Sequence, residues 1–77
     1  MNGQSLLEYL SNSTNCNYIS DLRMKEKRIE ISRVIKEISP DDFSLIEWKD
    51  AYQYILGEKC VVGEQIEIKD KFLQGLS

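Results

Sequence analysis

An all-α fold, a compact bundle of three to four short helices forming one small domain over 1–77, is what this sequence predicts. Three observations carry that expectation. Serine-led helix starts recur at Ser5, Ser39 and Ser44. Apolar residues return every three or four positions from Met24 onward, and the segments between these signals are short and polar. Such spacing belongs to amphipathic helices that pack one face inward.

The first start is the capping box Ser5-Leu6-Leu7-Glu8, in which the serine hydroxyl takes an orphan N–H and the glutamate reaches back. Leu6, Leu7 and Leu10 then share a side, with Tyr9 near its edge. The helix should stop near Ser11, because residues 12–17 (Asn-Ser-Thr-Asn-Cys-Asn) have side chains that compete for backbone hydrogen bonds. A second helix is expected from Ser20 or Asp21 to about Ile38, since Leu22 to Arg28 are good helix formers. Along it, Met24, Ile31, Val34, Ile35 and Ile38 fall in one stripe of roughly 100°, the expected core face. Leu22 and Ile29 fall on the opposite side, about one heptad apart.

Ser39-Pro40-Asp41-Asp42 combines a cap, a proline at the first helical position and two acids at the positive helix end. Ser44-Leu45-Ile46-Glu47 follows as another capping box. Two caps imply two starts, so a short turn at 40–43 should precede a helix from 45. Leu45, Trp48, Tyr52, Ile55 and Leu56 line one face of that helix, Ala51 sits at its edge, and Gly57 is its C-terminal cap. Two readings compete for the tail. Val62-Gly63-Glu64-Gln65 fits a tight turn in a small hairpin over 59–69, and Ile66 to Lys69 alternate as a strand does. Residues 64–74 are also rich in helix formers, and Ile66, Phe72, Leu73 and Leu76 fit a broad helical face. A lone hairpin needs a third strand for stability, so the balance favours a fourth helix. No internal repeat, low-complexity tract or linker is evident.

Composition excludes many functions. The chain has no histidine and two cysteines 44 residues apart, too few and too distant for a zinc site. Cys60 is expected to be buried and Cys16 to lie in a polar loop, both reduced. Without histidine there is no base to activate a serine or cysteine, and no glycine-rich phosphate loop is present. Asp41 with Asp42, and Glu47 with Asp50, are carboxylate pairs, but the first pair caps a helix and the second lies on a polar helix face. Neither suggests the cleft that acid–base catalysis requires. The expectation is a protein with no catalytic residues, cofactor or metal. The chain has no apolar run of the roughly 20 residues that cross a bilayer, and its N-terminus lacks a basic n-region and an apolar h-region. The expected location is the cytoplasm. Nine isoleucines and seven lysines beside one alanine suggest AT-rich coding, hence a bacterial or phage source.

Charge is unevenly placed. Residues 22–36 carry six basic and two acidic groups, and 37–77 carry nine acidic and four basic ones. Lys25, Arg28, Arg33 and Lys36 share a face with Leu22 and Ile29, interrupted by Glu26 and Glu30. On the third helix, Glu47 and Asp50 surround Ile46 and Tyr54, on the side away from Trp48 and Ile55. Apolar groups ringed by charge suit a protein contact, with a hot-spot centre and a polar rim. The candidate partner-binding residues are therefore Leu22, Lys25, Ile29, Arg33, Ile46, Glu47, Asp50 and Tyr54.

The function expected is non-enzymatic: a small bacterial or phage regulator or inhibitor that occludes a surface of another protein. Leu22 and Ile29 could also close a homodimer. The alternative is a helix-turn-helix-type nucleic-acid-binding regulator using the basic helix 22–36. Nucleic acid is the less favoured partner, because the would-be recognition helix carries Glu47 and Asp50 against Lys49 alone.

Overall fold

The computed structural model describes residues 5–76, and over them the fold is the expected all-α bundle. Four helices run over Leu6–Ser13 (α1), Arg28–Glu37 (α2), Leu45–Leu56 (α3) and Gln65–Leu76 (α4). Short 3₁₀ turns occupy Ile19–Arg23, Lys25–Lys27 and Pro40–Asp42. The molecule measures 30 × 30 × 20 Å. One core gathers Leu6 and Leu10 from α1, Ile31 and Ile35 from α2, Trp48, Ala51, Tyr52 and Ile55 from α3, and Ile68, Phe72 and Leu76 from α4. Leu22, Ile38 and Cys60 complete it from the connections.

The caps form largely as read. The Ser5 hydroxyl accepts from the Glu8 N–H, and the Ser5 N–H donates to Glu8 Oε1, both at 3.2 Å. Asp42 Oδ2 accepts from the Ser39 N–H at 3.0 Å, closing the proline-led turn. At Ser44 the hydroxyl accepts from the Glu47 N–H at 3.3 Å, while the glutamate returns to that hydroxyl rather than to the Ser44 N–H. Helix α1 continues two residues beyond the expected stop. Its polar end is satisfied by Thr14, whose buried hydroxyl donates to the Leu10 carbonyl at 2.8 Å. Gly57 closes α3 at φ 70°, a left-handed conformation that costs a side chain roughly 1–2 kcal/mol. Gly57→Ala should therefore lose about 1 kcal/mol in urea denaturation although open space surrounds the site. A loss near zero would mean that the helix end relaxes.

The second helix departs from expectation. It starts at Arg28, and residues 19–27 instead make two 3₁₀ turns separated by an extended Met24 at ψ 139°. A continuous helix from 21 would hold Leu22 on the same side as Ile29, outside. The break turns Leu22 inward to 0% exposure and leaves Met24, an expected core residue, 46% exposed. Burying a leucine is worth about 1.5–3 kcal/mol, which outweighs the few tenths per residue lost in helix propensity. The rearranged segment is pinned by Lys27, whose ammonium donates to the Thr14 carbonyl at 2.9 Å, and by Asp21, which accepts from the Tyr18 N–H at 3.3 Å.

The tail is a helix, with no strand among the described residues. The expected face is shifted, however: Ile68, Phe72 and Leu76 point inward, four residues apart, and Ile66 lies outside. Helix α4 runs parallel to α3. Gln65 Nε2 donates to the Phe43 carbonyl just ahead of α3, and Gly75 at the far end meets the Leu56 side chain. The connector 57–64 returns along the pair, with Cys60 buried beneath it. Helix α2 lies antiparallel to α4: Arg28 Nη1 donates to the Gly75 carbonyl at 3.2 Å, and Lys69 Nζ to the Ile38 carbonyl at 2.6 Å. A lysine at the negative end of α2 also complements its dipole.

Laying α3 beside α4 exposes a short repeat at a 20-residue offset, contrary to the reading of the bare sequence. Ile-Glu-Trp-Lys-Asp at 46–50 matches Ile-Glu-Ile-Lys-Asp at 66–70, and Tyr52 matches Phe72. In both copies the third and seventh residues are buried and the first and fifth exposed.

Candidate functional site

The structure separates the eight expected contact residues into three groups. Lys25, Ile29 and Arg33 are exposed together on the outer side of α2 and the turn before it, and Ile46 and Asp50 are exposed on the outer side of α3. Glu47 and Tyr54 are half-buried. Leu22 is entirely buried, so it offers no surface to a partner, and the expected Leu22/Ile29 pair does not form.

The α2 face is built by helical spacing. Ile29, Arg33 and Lys36 fall within about 60° of one another at 100° per residue, opposite Ile31 and Ile35. Ile29 is 65% exposed. In this region Lys27 pairs with Glu30 at 3.5 Å, a contact worth a few tenths of a kcal/mol. It leaves Lys25, Arg33 and Lys36 as solvated cations along the ridge. Arg28, expected on the same face, instead turns half-buried toward the end of α4.

The α3 face centres on Ile46, 71% exposed, with Asp50 one turn on and Gln53 beside them. Glu47 does not project into this face. Its Oε2 lies 3.4 Å from the Ser44 hydroxyl, and its Oε1 is enclosed without a hydrogen-bond partner among the described residues. Tyr54 packs on the core edge under Arg23, whose guanidinium lies 5.6 Å from the ring centroid. That cation–π contact ties the 3₁₀ segment to α3 and covers one face of the ring.

Ile66 was not among the expected contact residues. It is 63% exposed on α4, with Asp70 one turn on. The signal that could have found it is the Ile68–Phe72–Leu76 spacing, which defines an inward stripe that excludes Ile66.

Chemistry-bearing groups are few. Cys60 is buried and Cys16 half-buried, both free, with Cys16 Sγ 3.2 Å from the Thr14 hydroxyl. Among the described residues no group of three or more His, Cys, Asp or Glu side chains could hold a metal ion, and no helix is long and apolar enough to cross a membrane. Burial, aided by the nearby Glu58 carboxylate, pushes the Tyr52 phenol above its usual value of 10.0. The folded state thus holds that proton more tightly than the unfolded chain. The resulting stability is complete below pH 10.0 and fades as pH rises through the folded value. Thermal melts of the protein and of Tyr52→Phe should therefore diverge in slope only above about pH 10; parallel slopes there would show that Tyr52 ionises freely. Comparison of the chain with protein-family models, curated proteins and solved structures finds no match.

Proposed function

We propose that this protein is a non-enzymatic interaction module, a small cytoplasmic regulator or inhibitor of bacterial or phage origin that works by covering a surface of another protein. The observation that carries the reading is Ile46, 71% exposed on a rigid helix with Asp50 one turn away. An aliphatic centre with a charged rim gains affinity by excluding water from the centre and specificity from the rim. Its side chain already stands on an ordered helix, so little ordering entropy opposes binding. The partner such a face fits carries an apolar pocket edged by lysine or arginine.

The test is affinity capture from the source cell with the protein and with Ile46→Lys. A partner retained by the first and lost by the second, with unchanged helical circular dichroism, is the expected result. Equal capture by both, or none by either, removes the α3 face as the site.

A second reading, nucleic-acid binding, draws on the solvated cations Lys25, Arg33 and Lys36 along α2. Three phosphate contacts would give a log–log salt slope of about −2.7. A gel shift at low salt showing no complex at micromolar protein would dismiss it.

A further inference from the structure

We propose that the α2 ridge of one molecule docks on the outer face of α4 of a second copy, so that the protein self-associates through opposite charges set around exposed isoleucines. This goes beyond the occlusion reading and uses different faces; the Ile46 surface stays free in the assembly.

The two faces match in pattern, and the charges one turn beyond each isoleucine differ in sign, with exposed Glu26, Glu30 and Glu37 flanking the α2 ridge. On α2, Ile29 is followed four residues later by Arg33, and then by Lys36, all exposed. On α4, Ile66 is followed four residues later by Asp70, with Glu67 beside it, again all exposed. With the helices side by side and running the same way, isoleucine meets isoleucine and Arg33 meets Asp70. The α4 face also continues into an open hollow of about 540 Å³, lined by Pro40, Asp41, Glu64, Gln65 and Ile66. Pro40 and Ile66 offer apolar wall, and Asp41 and Glu64 offer negative charge. A lysine or arginine lays its stem on such a wall and its head against such charges, and Lys25 at the other end of the ridge is placed to do so. The α3 copy of the motif is the weaker dock. Its Glu47 is turned back onto Ser44, whereas the matching Glu67 of α4 is exposed. The chain is also short enough that association is a natural source of added stability.

Light scattering and sedimentation of the intact protein test this. At low salt and roughly millimolar protein the mass should rise from 9.0 kDa toward twice that value, or further if the contacts chain head to tail. It should return toward 9.0 kDa in about 0.5 M salt, where charges are screened beyond about 4 Å. Arg33→Glu/Lys36→Glu and Glu67→Lys/Asp70→Lys should each stay at the lower mass, and their equimolar mixture should recover the higher one. All four side chains are exposed, and circular dichroism checks that the helices persist. Asp50→Lys/Glu58→Lys carries the same added charge on the α3 side. Because that variant keeps both docking faces, it should reach the higher mass by itself; a mass that stays at 9.0 kDa would overturn the assignment to α4. A wild type that stays at the lower mass under all these conditions would overturn self-association itself, while the Ile46 capture experiment would stand or fall separately.

Discussion

Trp48→Ala is expected to destabilise the protein by about 3–5 kcal/mol, the largest effect of any single truncation in the core. Trp48 is fully buried at the centre of α3. Its ring stands edge-on to Phe72 at 6.5 Å, and Tyr52 meets the same phenylalanine at 5.7 Å. Its indole N–H also donates to the Pro40 carbonyl at 2.9 Å, holding the proline-led turn against the bundle. Alanine would leave a cavity between α3 and α4 and release that turn. A 77-residue domain has roughly 4–12 kcal/mol of stability in all, so the variant should be partly unfolded in plain buffer. Urea denaturation followed by circular dichroism measures the loss. Trp48→Phe, which fills most of the space but cannot donate to Pro40, should lose less. A loss below about 1 kcal/mol for Trp48→Ala would mean that the core collapses around the gap.

Leu22→Ala and Ile29→Ala make the second large contrast. The two residues stand one heptad apart, and on a continuous helix they would be equivalent. In the structure Leu22 is sealed in the core and Ile29 is mostly solvated. Truncating Leu22 should cost about 2–4 kcal/mol and loosen the 19–27 segment, whereas truncating Ile29 should stay within about 0.5 kcal/mol. Hydrogen exchange would show the local part of the effect, since the amides of Asp21, Met24 and Lys27 each bond within this segment. Equal losses for the two variants would show that α2 extends back through residue 22 in solution. The same pair has a functional consequence: Leu22 leaves the set of contact residues, and Ile29 remains as the apolar centre of the basic ridge.

Much of the fold was legible because local chemistry and tertiary structure agree. Ser5, Ser39 and Ser44 mark starts through hydrogen bonds formed within three residues, and Gly57 ends α3 through its own backbone freedom. Such signals depend on few neighbours. The inward faces of α1 and α3 were equally readable, because each helix has one dominant apolar stripe. The candidate surface was legible in part. Ile29 and Ile46 lie outside their helices' inward stripes and are exposed, as periodicity indicates. Tyr54 and Glu47 occupy similar outward positions, yet one is covered by Arg23 and the other folds back on its own cap.

What the amino-acid order by itself determined is the all-α class with three to four helices, the starts of α1 and α3 and the end of α3, the absence of nucleophile–histidine chemistry and the division of charge between the middle and the end of the chain. These follow from short-range hydrogen bonding and from counting. Tertiary structure alone decided the break at Met24, the burial of Leu22, the turning of Ile66 outward and the parallel pairing of α3 with α4 that brings the repeated motif into register. Each is a choice between apolar residues competing for one small core. Propensity differs by tenths of a kcal/mol per residue, whereas burying a leucine is worth about ten times more, so packing across distant segments makes that choice.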